Sequence, residues 1–315
     1  MDKIIFLEPI FFERIWGGDN LKEFNFDIPK GNIGEAWVIA AHKNGSSIIK
    51  NGLFAGKTLK DAYSLAPTLF TQKIYNKFPL LIKILDAKED LSVQVHPNDN
   101  YAALNENGEL GKTECWYVLD SKEDAKLIYG HTARSKAEFN ELINEEKWDK
   151  LLIEKKTKKD DFYYIPAGTL HAIGAGNLIY EVQQNSDTTY RTYDYNRKDK
   201  NGKPRELHIE KTKDVTTIPF TEYKNQEQIF STDDATITLL VEENYFGVYK
   251  IVVNGTSYLE KNKTGNLLTV LDGSGEIIID SISYKLKKGD SFILTTSCNN
   301  FTLQGNMFLI GSYDR

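Results

Sequence analysis

The sequence predicts a mainly β protein in which one β-fold occurs twice, and three observations lead there. Short runs rich in β-branched and aromatic residues recur between Gly, Asp, Asn and Pro punctuation. Only one stretch carries a convincing helical period. Two segments late in the chain echo two earlier ones in the same order.

The strand-like runs come first. "FPLLIKILDA" (78–87), "LSVQVHP" (91–97), "CWYVLDS" (115–121), "KLIYGH" (126–131), "FYYIP" (162–166) and "NLIYEVQQ" (177–184) have the length and spacing of strands in a sandwich or barrel. The helix is predicted from Ser135. Ser135 and Glu138 have capping-box spacing, and Phe139, Leu142, Ile143, Leu151 and Leu152 follow at roughly helical intervals, so a helical insertion is expected over about 134–157. Between 218 and 232 the composition turns polar, and strands resume afterwards. This divides the chain into a domain at 1–220 and another at 232–315.

The echoes pair "KKDDFYYIPAGTLHAI" (158–173) with "KKGDSFILTTSCNNFT" (287–302), and "YVLDSKED" (117–124) with "TVLDGSGE" (269–276). In this alignment Pro166, Gly168 and His171 become Thr295, Ser297 and Asn300, and Glu114 falls opposite Asn266. The first copy holds chemistry that the second lacks.

Composition narrows the setting. With 315 residues, 40% of them hydrophobic, the chain fills a sizeable core. A net charge of −6 argues against a nucleic-acid or acidic-membrane partner, so any anionic ligand must be held by locally placed cations. Cys115 and Cys298 have no metal or disulfide spacing. No apolar run is long enough to span a bilayer, and none resembles a signal peptide; a cytoplasmic monomer or homodimer is expected.

The candidate chemistry gathers in the first copy. On a strand Gln94 and His96 project to one side with Cα atoms about 6–7 Å apart, a spacing suited to two ligands of one ion. Glu114 lies in the next strand-like run, and His171 follows a turn set by Pro166 and Gly168. Two imidazoles, a carboxylate and an amide oxygen suit zinc, and iron, manganese or cobalt accept the same donors. The remaining histidines, His42, His131 and His208, read as surface or hydrogen-bonded core residues.

"QVHP", a glutamate eighteen residues after His96, and "PAGTLHAI" resemble the two metal-binding motifs of the cupin superfamily. That resemblance implies two cupin-type double-stranded β-helix (jelly-roll) barrels, the C-terminal one degenerate and without metal ligands. More narrowly, "IWGG" (15–18), "GEAWVIAAH" (34–42), "LSVQVHPND" (91–99), "GKTECWYVL" (111–119), "IPAGTLHAIG" (165–174) and "SDTTYR" (186–191) resemble the type I mannose-6-phosphate isomerases in their short bacterial form. The resemblance runs from about residue 4 to the end. It implies a zinc-dependent aldose–ketose isomerase that interconverts mannose 6-phosphate and fructose 6-phosphate through a cis-enediol. One zinc ion per chain would be held by Gln94, His96, Glu114 and His171, with Arg191 in the active site. Longer members carry histidine before the motif lysine and proline after it, whereas this chain reads Gly111, Lys112, Thr113.

Further roles follow from position. Lys112, two residues before Glu114, points into the same cavity and serves either as a proton carrier or as a phosphate ligand. Glu181 alternates with apolar neighbours and faces inward as an acid or base, or else sits in a rim salt bridge. Arg191 offers a fixed cationic fork for phosphate or an enediolate oxygen. Asp187 would orient Arg191 or assist ring opening. Trp16 and Trp37 either present flat faces to a sugar or pack in the core. Two other readings compete: a different metal-dependent cupin enzyme, such as an iron dioxygenase, and a non-catalytic sugar-phosphate-binding cupin.

Overall fold

The computed structural model describes residues 2–198, 202–232, 234–263 and 265–315. Its first half carries two antiparallel sheets. A six-stranded sheet runs in the order Phe162–Ile165, Glu114–Ser121, Asn177–Gln184, Leu80–Ala87, Ile10–Gly18, Ile33–Ile39. A five-stranded sheet runs Leu152–Lys156, Lys126–His131, His171–Ile173, Val93–Val95, Tyr190–Tyr193. They share a core in which Leu85, Trp116 and Ile179 of the first meet Leu127, Tyr129 and Ile173 of the second. The central strands Leu80–Ala87 and Asn177–Gln184 are buried along their whole length, and the polar residues within them, Lys83 and Glu181 among them, are buried too.

The later half is a nine-stranded sheet dominated by the long strands Phe246–Glu260, Leu267–Ile279 and Asn300–Asp314. The repeat expected from sequence is visible in its hydrogen bonds. In the first copy Val118 N donates to Asp161 O and Asp160 N to Val118 O, both at 2.9 Å. In the second, Val270 N donates to Asp290 O at 2.9 Å and Gly289 N to Val270 O at 2.8 Å. The aspartates repeat too: Asp161 accepts from Lys158 N at 3.0 Å and Asp290 from Lys287 N at 2.9 Å. In register, Ile165 faces Glu114, and Leu294 N donates to Asn266 O at 2.8 Å.

Two expectations change. Strand Ile4–Glu8 pairs with Ser291–Leu294, and Ile48–Ile49 pairs with Ile4–Glu8, so the nine-stranded sheet draws strands from both sides of the division expected between 220 and 232. The insertion expected to be helical over 134–157 is helical only in Lys136–Asn144 and Trp148–Leu151. Leu152–Lys156 is a strand held by its ladder to Lys126–His131. Ser135 does cap the first helix, accepting from Glu138 N at 3.2 Å. The seven-residue helices Leu59–Leu65, Asp99–Asn105 and Ile209–Val215 escaped sequence reading because two turns are too short to show a period. No described helix is long and apolar enough to cross a membrane.

Ile5, 1% exposed, ties the first strand into the core shared by both halves. Ile5→Ala is expected to cost about 2–5 kcal/mol, read as a lowered urea midpoint with an unchanged denaturant slope.

Candidate active site

The two motifs of the first copy meet where the two sheets face each other. Val93–Val95 pairs with His171–Ile173, placing His171 directly opposite Gln94, and Tyr190–Tyr193 on the other side places Arg191 opposite the same residue. Glu114 opens a strand of the facing sheet. Gly168, at φ 90°, adopts a backbone that favours glycine, and its N–H donates to His96 O at 2.9 Å, fastening one motif to the other. A Cβ there would lie 2.4 Å from Thr217 Oγ1.

Glu114, His96 and His171 are buried, and one ligand atom from each lies within 4.8 Å of the others. Glu114 Oε2 is 3.4 Å from His96 Nε2, and Oε1 is 3.2 Å from His171 Nε2. Each imidazole gives Nδ1 to a backbone carbonyl, His96 to Thr188 O at 2.9 Å and His171 to Thr169 O at 2.8 Å. This fixes the tautomer with the Nε2 lone pair turned to the cluster. The Gln94 amide is 3.3 Å from His171 Nε2, and a rotation about its last bond presents Oε1 there. The set suits a nitrogen- and oxygen-liganded divalent ion: Glu114 Oε1 is buried without a hydrogen-bond donor, as a ligand oxygen would be. Burial and the nearby Lys112 push His96 down to about 3, and burial lowers His171. Burial works against the Glu114 charge, yet Lys112 and the two imidazoles hold its carboxyl well below its ordinary value.

Lys112 reaches the same cluster, its Nζ 2.6 Å from Glu114 Oε2 and 3.0 Å from His96 Nε2. The departure at Gly111 has a steric cause. A Cβ on residue 111 would meet the Asn98 and Asp99 backbone at 2.5 Å, where the helix Asp99–Asn105 begins, and Gly111 N donates to Asp99 Oδ1 at 2.7 Å. Histidine has no room at this position.

Beside the cluster a cleft of about 310 Å³ opens, within the range of small-molecule sites. Glu181 faces it, buried rather than at the rim: Oε1 accepts from Trp116 Nε1 at 3.0 Å, and Oε2 lies 3.0 Å from Lys83 Nζ. Lys83, a buried cation lining the cleft, was not among the residues expected from sequence, although a lone lysine inside "LLIKILDA" was the available signal. Burial opposes its charge, but Glu181, Glu35 and Asp187 outweigh that and raise its pKa. Glu35, also missed, accepts from Arg14 Nε at 2.6 Å and Trp37 Nε1 at 2.7 Å. Burial disfavours its charge, but Lys83 and Arg14 prevail and lower its pKa. Trp16 lines the cleft, whereas Trp37 is fully buried core.

Arg191 lines the cleft with Nη1 donating to Glu206 O at 2.9 Å and Nε buried without an acceptor. Its backbone is set by His208, whose Nδ1 accepts from Arg191 N at 3.1 Å. Asp187 also lines the cleft, but it accepts from Asn44 Nδ2 at 3.0 Å in place of the expected partner Arg191. Arg205, a further lining cation without a local sequence signal, is held by Asp194. His42 and His131 are hydrogen-bonded to Asn44 N and Thr217 O, as expected of structural histidines. Arg14, Lys83, Lys112, Arg191 and Arg205 outnumber Glu35, Glu181 and Asp187, so a chain of net charge −6 has an electropositive cleft.

A family model, "Phosphomannose isomerase type I, catalytic domain", matches residues 4–119, and "Mannose-6-phosphate isomerase, cupin domain" matches 236–314. The chain is 47% identical over 301 residues to mannose-6-phosphate isomerase ManA of Bacillus subtilis (strain 168), covering 96% of both. The chain belongs to the type I phosphomannose isomerases. A mannose-6-phosphate isomerase of Streptococcus mutans is 44% identical over 314 residues, 99% of each chain. The crystal structure of the mannose 6-phosphate isomerase from Bacillus subtilis superposes with a TM-score of 0.96 at 46% identity, covering 99% of both chains.

Lys83→Met leaves Glu181 buried without its cation and Glu35 with Arg14 alone, and is expected to cost about 3–5 kcal/mol. The sign with pH is fixed by Glu35. Its lowered pKa means that its contribution in the wild type is present above the ordinary value of 4.5 and lost as the pH falls toward the folded value. The deficit of the variant therefore shrinks as acid protonates the carboxylates that Lys83 had compensated, which urea unfolding at pH 7 and pH 4 would register.

Proposed function

We propose that the chain interconverts mannose 6-phosphate and fructose 6-phosphate through a cis-enediol, with one zinc ion held by Gln94, His96, Glu114 and His171. The observation that carries this reading is the buried His96–Glu114–His171 cluster at the edge of an electropositive cleft. Family membership and the isomerases at 44–47% identity supply the reaction.

Ring opening and transfer of a proton between C1 and C2 need a group that holds the proton and groups that take up charge on oxygen. A bound divalent ion supplies a fixed positive charge that polarises or orients sugar oxygens, directly or through a water. Lys112 and Glu181 are the two groups of the cleft placed to take and return the proton at C1 and C2. Lys83 keeps Glu181 in place and, with its raised pKa, stays charged beside it. Arg191, which lines the cleft, offers its guanidinium to a phosphate or enediolate oxygen. Asp187 lies on the same wall and is placed to assist ring opening, while Trp16 presents apolar surface to the sugar. Trp116 and the main-chain carbonyls of Thr169 and Thr188 hold Glu181 and the two imidazoles in position.

A coupled assay for fructose 6-phosphate made from mannose 6-phosphate tests the whole reading. Activity is expected to vanish on chelation and to return with zinc. Turnover absent from every zinc-replete sample would sink it. Metal analysis separates the parts: His171→Ala is expected to reduce bound zinc from one per chain to near none. Arg191→Met should keep the zinc and lower kcat/KM by about 10²–10³-fold.

A further inference from the structure

The second copy has a cleft at the place where the first copy has its metal cluster. The hydrogen-bond registers define the equivalences. His171 pairs with Gln94 in the first copy, and Asn300 pairs with Glu260 in the second, so Glu260 takes the place of Gln94; Asn262, in the 3₁₀ turn Lys261–Lys263, corresponds to His96 by residue count alone. Asn266 stands where Glu114 does, and Asn300 where His171 does. All four, Glu260, Asn262, Asn266 and Asn300, line a single cavity of about 640 Å³, larger than the cleft beside the first cluster. Phe70 and Tyr75 from the first half form part of its wall, so it lies at the junction of the two halves, a common place for ligand sites.

The substitutions change the chemistry in one direction. Two imidazoles and a carboxylate are replaced by three primary amides, and the remaining amide by a carboxylate. This removes every nitrogen ligand suited to zinc. Each amide both donates and accepts, which matches hydroxyl groups that also do both. Tyr258, 61% exposed, and Tyr313, whose ring lies over Tyr249 at 5.8 Å, add aromatic faces. Its charged side chains are Lys73, Lys261 and Arg315 against Glu260 and Asp314, a smaller cationic excess than in the first cleft. Lys73 lies beside Asp314, and Lys261 Nζ donates to Thr295 O at 2.8 Å.

We propose that the C-terminal half binds an uncharged pyranose sugar in this cavity, using the amides at the positions equivalent to the metal ligands. Retention of the scaffold while the ligands become amides turns a metal centre into a hydroxyl-binding surface. The site is separate from the isomerase cleft and has no part in turnover.

The test is isothermal titration of the zinc-loaded full-length protein with methyl α-D-mannopyranoside, whose ring is locked and which carries no phosphate. Saturable binding is expected. Asn262→Ala with Asn300→Ala should weaken it by about tenfold or more, while isomerase kcat and the thermal midpoint stay unchanged. Both amides are exposed, and Tyr258→Ala, also exposed, provides an independent second variant with the same expectation. Three results would overturn the proposal. One is no saturable heat with the mannoside, the glucoside or the galactoside. Another is affinity unchanged in both variants. The third is competition by mannose 6-phosphate, which would place the glycoside in the isomerase cleft.

Discussion

The active end of the molecule depends on keeping one carboxylate ionised in the interior. Glu114 has no solvent exposure, and a bare charge there would cost several kcal/mol. It is tolerated because Lys112, two residues before it, and two imidazoles from other strands and turns converge on it. That convergence requires two sheets to approach closely at one spot, and the glycines of the site serve this approach. Gly168 lets the histidine turn fold over the carbonyl of His96, and Gly111 lets the Lys112 segment lie against the start of a helix.

A second set of charges lines the cleft. Arg14, Glu35, Lys83 and Glu181 form a line of alternating sign, with Trp37 and Trp116 each donating an indole N–H to one of the carboxylates. Such a line holds its members rigid, since moving any one strands a neighbour. Cationic side chains outnumber acidic ones along the cleft of an acidic protein, an arrangement suited to an anionic ligand.

The two copies share what the backbone needs and differ in what chemistry needs. The Val118–Asp161 and Val270–Asp290 hydrogen bonds are the same turn made twice, with an aspartate accepting from a lysine N–H in each. Strand ends are where side chains reach the cavity between sheets, so residues there are free to change without disturbing the ladders. Glu114 and Asn266 occupy one such place, and His171 and Asn300 another.

Much of this was written locally in the chain. The strand runs, the Ser135 cap, the repeat and the shared face of Gln94 and His96 follow from period, punctuation and capping chemistry, which act over a few residues. The ordered motifs were enough to indicate the family. What only the tertiary structure decided depends on contacts between distant segments. Ile4–Glu8 joins the later sheet because its free edge is completed by Ser291–Leu294, and Leu152–Lys156 is a strand because Lys126–His131 offers a ladder. Lys83 and Glu35 are legible in sequence only as odd charges in apolar runs; they become a site when antiparallel register sets Lys83 beside Glu181 and Trp37. Asp187 found Asn44 rather than Arg191 because side chains that leave a bend choose partners by where the chain returns, and sequence spacing does not encode that return.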